Sequence, residues 1–487
     1  MLTPNSIEIL KALSKEEFKR FGDFVKSPYF NSVEVLGKIF DEIAKVYPDF
    51  ESTRLSYKKI SQKIYPGKEF NEQTIRNLYS KFGNLLKKFI AMENVINDED
   101  VINMNMAEGM SKRKLFEYSN KLIEKFRREK EENKIFGFWD FYFKFRIEHL
   151  YYHNLNHLHK PNTPEFYNAT NNKTENLIAL FLKAYYVFTE GQGILLKLYK
   201  GYEISPMIEN FSSSLNSEQF FGAGAIENHN YYSYLKMHFL ISKYQNSDMS
   251  EEEFKDLFNT FKNNIDSFVK LDKINFFVSL DGLILNKLIP KDKKYYNDLF
   301  ESAKLYCEQN LYPDDSIGPI EILHFRNYFT VALLLKEFDW AEKFVREYTN
   351  YLKPELVENE LNYSMAILSF KNKKYEDSLS FFNKMVITDI MEKMNVRIYT
   401  LMNYIELKAH EPAISMVQAL KQFSKESKEI PHLKVDSLRN SIRFLDEIVK
   451  AEANNKKIER YIYDEAMSVR FFFQKQYIME KMEGLVE

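Results

Sequence analysis

The sequence predicts an all-α protein: an N-terminal helical domain followed by an α-solenoid of helical hairpins. Three observations carry this expectation. A bulky residue followed three positions later by a small one recurs between Ile322 and Phe423, as Phe338 with Ala341, Tyr375 with Ser378, and His410 with Ala413. A small side chain there lets two antiparallel helices approach closely, and the units recur at spacings of 37 and 35 residues, a period typical of stacked helical arrays. Glycine and proline number only 14 and 13 in 487 residues, well under average usage, so the chain can make few tight turns. Aromatic residues make up 16%, with 42 Phe and 32 Tyr, ample apolar mass to bury between neighbouring hairpins.

A chain of this length exceeds one compact core and implies two or three domains or an extended array. Its formal charge of −2 gives no global attraction to nucleic acid or anionic membrane. No segment reaches 18 uninterrupted apolar residues, and even Phe136–Phe145 carries Asp140 and Lys144, so no membrane partner is expected. The lone Cys307 cannot form an internal disulfide, which fits a reducing compartment, and Met1–Ser6 lacks the basic and apolar regions of a signal peptide. A cytoplasmic location is the expectation.

The first domain spans residues 1–95. Ser14 with Glu17 forms a reciprocal capping pattern that opens a helix, whose apolar stripe is Phe18, Phe21 and Val25; Ser27-Pro28 ends it. Further helices are predicted from Ser32 to about Val46, from Ser56 to Pro66, and from Asn71 through Phe89 along the stripe Ile75, Leu78, Phe82, Leu85, Leu86. Residues 93–110 are polar enough to suggest a linker or a loosely packed turn. An irregular helical-hairpin region then spans 111–270, with a long aromatic helix at Phe136–His159 and loops at Pro161–Lys173, Ser205–Ser217 and Gly222–Asn230. Gly191-Gln-Gly193 suggests a helix break. Residues 271–487 form the solenoid, closed by a capping helix. Its central hairpin sets Met365, Ala366 and Phe370 against Tyr375, Ser378 and Phe382, across the turn Lys371–Lys374.

These hairpins resemble tetratricopeptide repeats in register, with the consensus glycine and proline missing. The strings Ser27-Pro-Tyr-Phe-Asn31, Tyr47-Pro-Asp-Phe50 and Tyr65-Pro-Gly-Lys-Glu-Phe-Asn-Glu-Gln-Thr-Ile-Arg-Asn77 resemble a family of cytoplasmic proteins from Bacteroidota and related bacteria that has no assigned activity. That resemblance implies helical architecture throughout and carries over no catalytic residue.

The functional expectation is a non-catalytic scaffold or adaptor that binds a protein or peptide, with no cofactor. By register, Arg326, Tyr363 and Ile398 occupy equivalent exposed positions on successive first helices, with Thr330, Ile367 and Met402 one turn on. Arginine, aromatic and methionine side chains suit a peptide-holding surface. The alternative is a transcriptional regulator. Between Arg54 and Ile90 nine basic residues face two acidic ones, and two helices joined by a Pro-Gly turn could place Lys58, Lys59, Lys63, Arg76 and Lys81 on DNA phosphates. No strand pair follows to form a wing. His149, His153 and His157, spaced by four, share a helical face and are the candidate metal ligands, although the Glu148 position does not fit a metalloprotease pattern and structural histidines are the default. Gly222-Ala-Gly224 lacks the strand and third glycine of a dinucleotide fingerprint, and Cys307 has no neighbouring base.

Overall fold

A computed structural model describes residues 4–50, 55–132, 136–199, 201–222, 224, 226–313, 317–387, 389–426 and 432–486. Among these residues every regular element is a helix, apart from an isolated parallel bridge between Ile458 and Val486. The protein is all-α. No described helix is long and apolar enough to cross a membrane. The chain divides into two compact units, Met1–Ala184 and Tyr185–Glu487, so the boundary falls neither at 95–111 nor at 271 but inside a continuous helix.

The first unit contains α1 (Pro4–Ala12), α2 (Lys15–Lys26), α3 (Val35–Ala44), α4 (Tyr57–Ile64), α5 (Glu72–Ile96), α6 (Glu99–Lys112), α7 (Phe116–Glu132), α8 (Phe138–His157) and the start of α9 (Pro164–Leu198). The capping box forms: Ser14 Oγ accepts from the Glu17 amide at 3.1 Å, and Glu17 Oε2 accepts from the Ser14 amide at 2.7 Å. Phe21 of α2 then meets Phe82 and Phe89 of α5 at ring distances of 5.4 and 5.2 Å. Gly22 permits the α2–α3 approach, because a Cβ there would stand 2.6 Å from the Phe40 ring.

Residues 93–110 are helical apart from a short turn at Asn97 and Asp98, where α5 passes into α6. Asp98 caps α6 by accepting from the Val101 amide at 3.0 Å, and Met104, Ala107 and Ser111 are buried along one face. A sparse buried stripe is enough to seat a helix, and hydropathy alone does not register it. Likewise α9 starts at Pro164, inside the segment expected to be a loop, with Ala169 fully buried; a first-turn proline does not oppose a helix. Gly191 lies within α9, so the expected break is absent. The α6, α7 and α8 helices are tied by Asn154, which is fully buried. Its carboxamide accepts from Ser111 Oγ at 2.6 Å and donates to Ser119 Oγ and Asn120 Oδ1 at 2.8 and 2.9 Å.

The second unit continues with α10 (Pro206–Ser214), α11 (Ser217–Gly222), α12 (Tyr232–Asn246), α13 (Glu251–Asn264), α14 (Lys270–Leu283), α15 (Tyr296–Glu308), α16 (Ile322–Leu334), α17 (Phe338–Tyr348), α18 (Pro354–Lys371), α19 (Tyr375–Asn383), α20 (Ile390–Glu406), α21 (His410–Glu426), α22 (His432–Asn454), α23 (Arg460–Ser468) and α24 (Lys475–Glu483). From α16 to α22 each helix packs on the next. The small residues Ala341, Ser378 and Ala413 are buried, at 0, 0 and 2% exposure.

One turn closes all three hairpins. Lys336, Lys373 and Lys408 have φ of 62, 61 and 54°, the left-handed conformation that ends a helix. Around each, two backbone bonds satisfy the last carbonyls. Lys373 N donates to Phe370 O at 3.0 Å and Lys374 N to Ser369 O at 2.8 Å, and the same pair recurs at Lys336 with Glu337 and at Lys408 with Ala409. Glycine usually fills this position; here lysine does, in a chain short of glycine.

Candidate functional site

The first helices of the three hairpins bound a cavity of about 730 Å³ in the second unit, and α24 forms its far wall. From α16 come Arg326, Phe329, Thr330, Leu333 and Leu334; from α18, Tyr363, Ile367, Phe370 and Lys371. Asn395, Tyr399 and Glu406 enter from α20, and Tyr375 begins α19. The α24 wall brings Tyr477, Glu480 and Lys481, with Gln474 at its N-cap. Its other face is anchored by Ile478 and Met482, both fully buried.

Electrostatic contacts hold the lining in place. Arg326 donates from Nε to both Glu360 oxygens at 3.0 Å and from a terminal nitrogen at 2.5 Å, and Glu392 lies 3.5 Å away. A single guanidinium therefore joins α16, α18 and α20. Burial opposes its charge, but the hydrogen bonds and charge of Glu360 outweigh that and raise its pKa. The guanidinium also stands 5.2 Å from the centre of the Tyr363 ring, a cation–π contact. Desolvation pushes Tyr363 and Tyr375 up to about 12, so both keep their hydroxyl protons and remain donors. Glu406 accepts from Tyr375 at 3.2 Å and pairs with Lys481 at 2.9 Å. The Tyr477 ring packs against Phe370 at 5.6 Å. The surface is mixed: aromatic rings and aliphatic chains, with amide, hydroxyl and charged groups around them.

Of the residues singled out from the sequence, Arg326, Thr330, Tyr363 and Ile367 come together on this cavity. Ile398 and Met402 do not. They are 1 and 0% exposed, and α20 presents Asn395 and Tyr399 instead. One residue along a helix is about 100° around it, so α20 is turned relative to α16 and α18 although the spacing to each turn lysine is the same. Sequence reasoning missed Tyr399, Glu406, Gln474 and Tyr477. The α24 residues lie outside the hairpin period, so no spacing pointed to them.

In the first unit, Lys58, Lys59, Lys63 and Lys81 are exposed, while Arg76 pairs with Glu72 at 2.7 Å. Arg54 lies outside the described residues. The connection between α4 and α5 spans residues 65–71, longer than the three- to four-residue turn of a helix-turn-helix, and α5 leads directly into α6 with no wing strands among the described residues. On α8, His153 and His157 meet with Nε2 atoms 3.3 Å apart, whereas His149 stacks back on Phe145 at 5.8 Å.

A second polar cluster lies in the core of the second unit. Asp281 is 2% exposed and accepts from Ser302 Oγ at 2.6 Å, with His324 Nδ1 3.7 Å away. Burial pushes the Asp281 carboxyl up to about 7 and the His324 imidazole down to about 4.

The chain matches no described protein family, no curated protein and no solved structure. The functional reading therefore rests on the geometry of the site.

Proposed function

We propose that this protein is a non-catalytic scaffold or adaptor whose stacked hairpins hold a protein or peptide partner in the cavity between α16, α18, α20 and α24. In this reading the hairpins form a short tetratricopeptide-like solenoid, and α24 closes one end of its concave face. The observation that supports it most is the lining itself. Tyr363, Tyr375 and Tyr477, with Arg326 beside them, surround a 730 Å³ space. Tyrosine and arginine are the side chains over-represented where partners bind; tyrosine offers a large contact area at little conformational cost. Arg326 is held by Glu360 before any partner arrives, so its contribution is shape and a rigid wall more than a free charge.

Selection of a random peptide library on the full chain tests the proposal. Enriched peptides should lose at least tenfold in affinity with Tyr363→Ala and with Leu334→Asp, and keep it with Asp339→Ala on α17. Peptides indifferent to the first two changes would refute it. DNA binding is the second reading, favoured by the exposed Lys58, Lys63 and Lys81, which have no ion-pair partner among the described residues. It requires duplex affinity that falls steeply with salt and is abolished by Lys58→Glu with Lys81→Glu; affinity unmoved by that double change would exclude it.

A further inference from the structure

We propose that His153 and His157 form a two-imidazole site for a borderline divalent cation of the Zn2+, Ni2+ or Cu2+ kind, with water in the remaining coordination positions. The two residues are four apart on α8, so their side chains lie one above the other on one face. Their Nε2 atoms are 3.3 Å apart. Two metal–imidazole bonds of about 2.05 Å meeting at a tetrahedral angle span roughly 3.3–3.4 Å, so a cation fits between these nitrogens with little movement. Without metal, one Nε2–H can donate to the other Nε2; on binding, the donor ring takes the tautomer with its proton on Nδ1, so that both Nε2 lone pairs become ligands.

The surroundings favour this arrangement. Phe116, at the start of α7, lies flat against the His157 ring, 4.9 Å away and within 1° of parallel, which fixes the plane of one ligand. Both histidines are exposed, so an ion reaches them from solvent. Burial, and then the adjacent imidazoles of His157 and His149, hold the pKa of His153 below its ordinary value, leaving its lone pair unprotonated at neutral pH. The site stops at two protein ligands. His149 stacks on Phe145, and among the described residues no three histidine, cysteine or carboxylate side chains converge on one point. Such a site has open positions and exchanges its ion. Nitrogen ligands rank Cu2+ above Ni2+ and Zn2+, and they do not suit Mg2+ or Ca2+.

Titration of the full, untagged chain with Cu2+ and with Zn2+ tests the assignment, read by calorimetry and, for Cu2+, by electron paramagnetic resonance. One equivalent should bind, with two-nitrogen coordination in the Cu2+ spectrum and affinity that declines on acidification, as protons compete for the ligand nitrogens. His153→Gln, which leaves the Phe116 stack intact, and His157→Gln should each weaken binding at least tenfold. His149→Gln should change it less than twofold. Substoichiometric uptake, one-nitrogen coordination, or binding that survives the His153→Gln/His157→Gln double change would overturn the proposal.

Discussion

At Asp281 the core holds a carboxyl group where water cannot solvate its charge. The same burial acts on His324 in the opposite sense, so at mildly acidic pH the proton resides on the carboxyl and not on the imidazole. In an unfolded chain the preference is reversed. From about pH 4 to 6.5 folding moves a proton between the two groups without changing their number, so their contributions to the pH slope cancel. Above that window only Asp281 matters. Its folded pKa is raised to about 7, so the stability it contributes is present at low pH and is lost as pH rises toward 7. A shift of this size is worth roughly 4 kcal/mol. Asp281→Asn, which still accepts from Ser302, should therefore stabilise the protein by about 2–4 kcal/mol at pH 8. Urea denaturation should show that gain shrinking by pH 5; a loss at pH 8 would contradict the account. The residue scale is also where the sequence was least legible. Nothing in the pattern of Ile398 and Met402 separates a helix face turned to the core from one turned to the cavity, because both faces of α20 carry large side chains.

The hairpin is the element whose logic was clearest beforehand, since the small residues Ala341, Ser378 and Ala413 recur with the helical units and all three are buried. Ala341→Leu would add bulk where exposure is already zero, and should cost about 1–3 kcal/mol of stability in denaturant melts. An unchanged midpoint would mean that α16 and α17 are not in close contact there. The turns were less legible. Lysine gives no hint of a left-handed backbone, yet Lys336, Lys373 and Lys408 all adopt one. Replacing each by glycine removes the Cβ clash and should stabilise by roughly 1 kcal/mol per site; destabilisation at all three would refute the turn geometry. Between hairpins the Arg326–Glu360 pair links elements that the helical period does not connect. Arg326→Ala would strand a carboxylate that is only 2% exposed, with an expected loss of about 3–5 kcal/mol. Arg326→Ala combined with Glu360→Gln should recover part of it, and a double-variant loss equal to the sum of the two single losses would show that the pair is not coupled.

At the level of the whole molecule, helical periodicity and the scarcity of chain-breakers were enough to predict an all-α chain, and that is what forms. The division into units was not legible. The sequence has its polar stretch at 93–110 but the units part within α9, because capping by Asp98 and a narrow buried stripe keep the polar stretch helical. The candidate site was half legible. Repeat register found the α16 and α18 walls, while the fourth wall comes from α24, which no repeat announces. Tertiary packing of a terminal helix depends on contacts distant in sequence, and no local spacing encodes them. The most direct measurement is amide hydrogen exchange of the full chain with a peptide selected on it. Protection should appear together in residues 326–334, 363–371, 395–406 and 474–481. Protection confined to residues 58–88, or none at all with peptide saturating, would contradict a role for this cavity.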